Sequence, residues 1–243
     1  MVKYDTTVYD VCKVGCQNSL SLQQEVDELV AWTKNNDMQI NPKKTKEMVI
    51  NFTKEAITQP LTIEGEPVEC VKETKLLGVY LNDKLNWNTH IDETYAKAAK
   101  RLFLLVQLRR AGLAQDDLCK YYKACIRSVL EYACQVFHGG LTREQSESLE
   151  SIQKRALRII NPHLSYSEAL VKLNIETLSD RRTNMCEQLF TQIQKPDHKL
   201  NVLLPPKNDS KYNLRNSKPL CLPRCKTNRY KNSFIPWCVY NLQ

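Results

Sequence analysis

Residues 75–112 read "KLLGVYLNDKLNWNTHIDETYAKAAKRLFLLVQLRRAG", and the hydrophobic period changes inside them. The first seven, "KLLGVYL", are a short apolar run of the kind that suits a buried strand. From Thr89 onward Ile91, Tyr95, Ala98, Leu102, Leu105 and Val106 recur at spacings of three and four, with Gly112 as the stop. A strand pattern therefore hands over to an amphipathic helix, which predicts sheet before this stretch and helices after it.

Working back toward the N-terminus, "KEMVINF" sets Met48, Ile50 and Phe52 on one side, and "LTIEGEPVECV" carries a turn at Glu64-Gly65. Ahead of them Ser21 to Gln24 fits a capping box, and Val26, Leu29, Val30 and Thr33 follow at helical spacing, which predicts a helix over 20–35. Working forward, a second helix is expected from about Gln115 to Phe137, ended by Gly139-Gly140. A third opens on the capping box "TREQ" at Thr142–Gln145 and meets Asn161-Pro162, and a fourth covers 176–193. The expected class is α+β: a helix and a small antiparallel sheet over 1–87, an α-helical bundle over 88–194, and an irregular basic tail over 195–243. Six of the 10 prolines and no glycine fall within that tail, which predicts an extended, loosely packed segment.

The chain has 243 residues, 42% of them hydrophobic and 26% charged, enough to bury a core and too balanced for a disordered polymer. No run approaches the roughly 20 apolar residues that span a bilayer, and the N-terminus lacks the pattern of a signal peptide. These features predict a soluble intracellular protein of cytoplasm or nucleus, with no membrane partner. Ten irregularly spaced cysteines then read as reduced thiols, those at 119, 125 and 134 acting as small hydrophobes in a helix. Residues 195–243 hold 10 Lys or Arg against Asp197 and Asp209, so the tail carries the whole formal net charge of +8 and the remainder is neutral. An anionic partner would meet the tail first.

Two short stretches bear on chemistry. "KYDTT" at residues 3–7 has a tyrosine and an aspartate followed by two threonines, and "NPKKTK" at 41–46 clusters lysines after Asn-Pro. The second reads by itself as a solvated Lys-rich turn. Together with the helix bearing Trp32, "MQINPKKTKEMVINF", "KLLGVYLNDKLNWNTHI", "LEYACQVFHGGLT", "LESIQKRALRII" and "RCKTNRYKNSFIP", in this order, they make the chain resemble the reverse transcriptases of non-LTR (LINE-type) retrotransposons, from the catalytic turn to the C-terminus.

The resemblance implies a partial palm, a helical thumb and a basic tail. It makes "KYDTT" an eroded version of the family's Tyr-any-Asp-Asp turn, with Asp5 as its remaining carboxylate. Lys44 or its neighbour Lys43 would face the pyrophosphate leaving group, and "LLGVYL" would be the primer grip, with Gly78 allowing close backbone approach. On the thumb, Lys97, Lys100, Arg101, Arg109 and Arg110 would contact phosphates. Apart from the resemblance, Arg224, Lys226, Arg229 and Lys231 in the tail, with Tyr212, Tyr230 and Trp237, read as a surface that binds single strands by charge and stacking. Each charge run also reads as the wet face of an amphipathic element. Polymerases of this family place two magnesium ions on paired carboxylates. With one aspartate and three residues ahead of Tyr4, the isolated chain is expected to take no cofactor and to catalyse nothing, RNA or DNA being its expected partner.

Competing patterns are weaker. Cys221, Cys225, Cys238 and His198 match no strong zinc spacing. His90-Ile91-Asp92 has the His-any-Asp form of a non-haem iron site, and the helical stretch after Trp87 resembles the N-terminal segment of AlkB-homologue tRNA-modifying enzymes, without their catalytic domains. His90 itself reads as a helix-start residue.

Overall fold

Seventeen residues, Ser19–Asn35, form the first helix, α1. They belong to a computed structural model that describes residues 6–11, 19–52, 60–208 and 219–242 and divides into two units, Met1–Asn86 and Trp87–Gln243. Because α1 begins at Ser19, the expected capping box at 21–24 falls inside the helix. Gln23 does other work. Its amide nitrogen donates to the Thr62 carbonyl at 2.9 Å while its amide oxygen accepts from the Thr62 N–H at 2.9 Å, clamping a strand backbone to the helix.

The sheet is not the single antiparallel layer that the alternation predicts. Three separate two-stranded pairs are present among the described residues. β1 (Lys46–Glu47) runs parallel to β4 (Glu69–Cys70); β2 (Thr62–Ile63) pairs antiparallel with β3 (Glu66–Pro67), and β5 (Glu73–Leu76) with β6 (Val79–Asn82). Of "KEMVINF" only the first two residues pair, and Ile50 and Phe52 remain exposed, so the alternation there is not used to bury a face.

Turn chemistry explains the two hairpins. Glu64 and Gly65 take φ of 54° and 83°, and Leu77 and Gly78 take 46° and 88°. A two-residue turn with both central residues left-handed matches the twist of the strands it joins. "KLLGVYL" is therefore a hairpin broken at Leu77-Gly78, not one buried strand, and Gly78 supplies a positive φ at its tip.

The second unit is helical. α2 (Asn88–Arg110) stops at Gly112, whose φ of 83° and N–H bond to the Arg109 carbonyl (3.0 Å) close the end. The helix expected over 115–137 is instead a chain of segments: α3 (Gln115–Tyr121), a π-helical turn (Tyr122–Arg127), α4 (Ser128–Glu131), a break at Tyr132-Ala133, then α5 (Cys134–Phe137) and a 3-10 turn (His138–Gly140). Ala133 sits at φ 53°, which costs about 1 kcal/mol or more for a residue with a Cβ. The break turns Cys134 and Phe137 inward, both fully buried.

α6 (Arg143–Ile160) opens on the expected box. The Thr142 hydroxyl accepts from the Gln145 N–H at 3.2 Å and the Gln145 side chain accepts from the Thr142 N–H at 2.9 Å. α7 (Tyr166–Leu173) has its own box, Ser165 with Glu168, and was not expected from the sequence. α8 (Leu178–Ile193) follows. Leu102, Leu105, Ile126, Leu130, Leu149, Ile152 and Leu178 form the main core with their neighbours, burying apolar stripes of α2, α4, α6 and α8 against one another.

The tail departs from its expected looseness. α9 (Asn228–Lys231) and α10 (Phe234–Asn241) are helical, and α10 packs against α8: Cys238 and Val239 are fully buried beside Cys186 and Phe190, with Leu220 joining them. "FIPWCVY" supplies this apolar payload within the basic segment.

Candidate nucleic-acid interface

Asp5 lies outside the described residues, with Tyr4 beside it. Lys43 and Lys44 stand exposed on a turn closed by the Asn41 carbonyl, which accepts from the N–H groups of Lys44 and Thr45, each at 3.0 Å. Gly78 lies at the β5–β6 tip next to Leu77, whose side chain points to solvent.

On α2, Lys97, Lys100 and Arg101 are spaced to share one face. Both lysines are exposed, but Arg101 is half-buried, its guanidinium donating to the Cys125 carbonyl of the π-helical turn. Arg101 is thus engaged in closing a helix irregularity. Arg109 and Arg110 are exposed in the last turn of α2, where the helix dipole favours cations. In the tail Arg224, Lys226, Arg229 and Lys231 are all exposed, and the Lys231 ammonium lies 4.9 Å from the Tyr240 ring centroid.

Sequence reasoning missed a polar network in the middle of the bundle. Tyr122 donates to the buried Gln153 side chain, whose nitrogen donates to the Tyr166 oxygen at 2.8 Å and the Glu176 carbonyl at 3.0 Å. Tyr166 donates in turn to Glu150, which also accepts from the Leu178 N–H at 3.1 Å and so caps α8. Burial, then the adjacent carboxylate, raises the Tyr166 phenol far above its ordinary value, so it acts as a fixed donor. This network joins α6, α7 and α8, and a satisfied buried network fixes how helices register.

A second polar group surrounds Arg182, which is fully buried. Its Nε donates to His138 Nδ1 at 3.4 Å and its Nη2 to Ser146 at 2.8 Å. With Nδ1 accepting, the proton of a neutral imidazole resides on Nε2, which faces the Thr183 hydroxyl at 3.2 Å. Burial first and the Arg182 charge second push the His138 pKa down to about 4. The adjacent glycines are a packing notch: a Cβ on Gly139 would meet the Asn232 carbonyl and Trp237 ring at 2.7 Å, and one on Gly140 the Trp87 ring nitrogen at 2.5 Å. His90 opens α2 as expected and is buried against Phe137, ring centroids 4.8 Å apart.

Two surface clefts of about 450 Å³ each flank α7. The first is lined by Lys154, Arg158 and His163 over Leu157 and Ala169. The second has Lys120, Lys123 and Lys172 with Asp116. None of these lysines, nor Arg158, was singled out from sequence; the i, i+4 pair Lys154 and Arg158 in "LESIQKRALRII" was the available signal.

Among the described residues no group of three or more His, Cys, Asp or Glu is placed to hold a metal ion, so those residues do not fit a paired magnesium site. Nor, among them, is any helix long and apolar enough to cross a membrane. Exposed cations are instead distributed over α2, the clefts beside α7 and the tail.

The chain is similar to two proteins of Drosophila melanogaster. It is 25% identical over 166 residues to the probable RNA-directed DNA polymerase from transposon BS, a match covering 66% of this chain and 18% of the relative. It is 26% identical over 160 residues to the probable RNA-directed DNA polymerase from transposon X-element, covering 62% and 17%. The chain thus spans less than a fifth of the length of these curated relatives. The similarity supports a reverse-transcriptase-like relationship of the non-LTR retrotransposon kind. No protein-family model and no solved structure matches.

Proposed function

We propose that these residues form a palm-end and thumb-like part of a retrotransposon reverse transcriptase, and that they hold nucleic acid through phosphate contacts while doing no polymerisation by themselves. The observation that carries this reading is the similarity to transposon RNA-directed DNA polymerases over about two thirds of the chain. The charge distribution supports it: cations at the end of α2 and in the tail are exposed. Two-metal phosphoryl transfer takes several carboxylates, and the family resemblance supplies one, Asp5. The β5–β6 hairpin fits a primer-grip role through its tip, where Leu77 keeps a left-handed backbone and an exposed side chain. Backbone strain of this kind gathers at binding sites.

The test is a salt titration of binding to a fluorescein-labelled RNA–DNA primer–template, together with an extension assay in magnesium and deoxynucleotides. Binding is expected to weaken linearly in log salt, and the Arg224→Ala, Lys226→Ala, Arg229→Ala triple variant to lower the slope by about 2 to 3. Substitution is the right perturbation, since deleting the tail would also remove buried Cys238 and Val239. Primer extension by the chain alone would overturn the non-catalytic half, and salt-independent binding the other.

A further inference from the structure

The geometry points to a phosphodiester-binding track across α7, separate from the tail, centred on Lys154 and Arg158; this rests on the nucleic-acid reading above and gives it a location. Lys154 and Arg158 are one turn apart on α6, both exposed, and both line the first cleft with His163. Among the described residues neither has a carboxylate partner, and no carboxylate lines that cleft. Two acidic groups of α6 and α7 are already occupied. Glu150 accepts from Tyr166 and the Leu178 N–H, and Glu168 is turned onto Ser165, accepting from its N–H at 2.8 Å and its hydroxyl at 2.7 Å. Lys154 is also held: its ammonium lies 5.5 Å from the Tyr166 ring centroid, and that ring is fixed by the buried network. An uncompensated pair of cations, one of them positioned by a rigid aromatic, at the rim of a cleft with an apolar floor is a site for an anion.

The second cleft makes the anion a chain rather than a single ion. Ala169 lines the first cleft and Leu173 the second, and residues four apart lie on the same helix face about 6 Å along it. The two clefts therefore lie at successive turns of α7, while the Ala169–Leu173 face itself packs into the core. Lys123 and Lys172 in the second are unpaired among the described residues, whereas Lys120 is bridged to Asp117 at 2.9 Å and Asp116 stands beside them. Two cation sets at the two ends of α7 suit a ligand with repeated negative charges, and a nucleic-acid strand has them at regular spacing.

The experiment uses the full chain and a fluorescein-labelled oligouridylate in a salt titration read by anisotropy. The Lys154→Ala, Arg158→Ala double variant is expected to lower the slope of log K against log salt by about 1 to 2, with the melting temperature unchanged because both side chains are exposed. The charge-preserving Lys154→Arg, Arg158→Lys variant is expected to keep the original slope. An unchanged slope in the alanine variant, alongside a lowered slope in the tail triple variant, overturns the track and leaves nucleic-acid binding standing. Loss of slope in the charge-preserving variant as well overturns it too, since packing rather than charge would then be responsible. No salt-dependent binding by the unsubstituted chain overturns the track and the nucleic-acid reading together.

Discussion

The two units reach order by different routes. In Met1–Asn86 the strands are two to four residues long, the buried apolar residues among those described are Ile63, Val68 and Val79, and the hairpins are specified by left-handed turn residues. In Trp87–Gln243 the helices bury continuous stripes, and a polar network and a glycine notch fix their register. Burial contributes roughly 1.5 to 3 kcal/mol per large apolar side chain, so the second unit has a driving force that the first lacks. Local turn chemistry can define a hairpin, but a two-stranded hairpin alone is marginal in water.

The largest expected effect that sharpens this contrast is at Gly139. A Cβ there meets a backbone carbonyl and the Trp237 ring at 2.7 Å, so Gly139→Ala should cost on the order of 3 kcal/mol through overpacking. It should also unseat α10. Limited proteolysis across 219–242 checks this, and a variant as resistant and as stable as the unsubstituted chain would mean that α10 is not docked.

A smaller effect is expected at His138. Its folded pKa is about 4 against an ordinary 6.5, so between these values the unfolded chain binds more protons than the folded one. The stabilisation is fully present above pH 6.5 and is lost as pH falls toward 4. Allowing for partial solvent screening, the loss is on the order of 2 kcal/mol. His138→Gln keeps an acceptor for Arg182 and a donor for Thr183, and denaturant melts at several pH values should show it without that loss. Equal pH dependence in both proteins would place the titration elsewhere.

The smallest effect belongs to the first unit. Leu77 occupies a left-handed turn position, so Leu77→Asn should stabilise the β5–β6 hairpin by about 1 kcal/mol, read as slower amide exchange at Leu76 and Val79. A gain here with little change in the global melt would show that the two units respond separately. A large shift in the global melt would erase the distinction drawn between them.

Some of this architecture was legible residue by residue. The stripe from Ile91 to Leu105 and the stop at Gly112 defined α2, "TREQ" defined the start of α6, and Glu64-Gly65 defined a turn, because each depends on spacing or backbone chemistry within a few residues. The exposed tail cations were equally visible as a local excess of charge. What escaped the sequence depended on distant partners. Nothing local marks the break at Tyr132-Ala133, which is maintained by burial of Cys134 and Phe137 at the two ends of α5. Arg101 looked like a surface cation until the π-helical turn supplied a carbonyl for it.

The sequence by itself determined the α+β class, the helix-rich second half and the concentration of positive charge, since periodicity, caps and net charge are properties of the chain alone. Only the tertiary structure decided that the basic tail folds back to bury Cys238 against α8, and that Lys154 and Arg158 stand without carboxylates at the edge of a cleft. Burial and charge compensation are set by what approaches from elsewhere in the chain, and no short window of sequence contains that information.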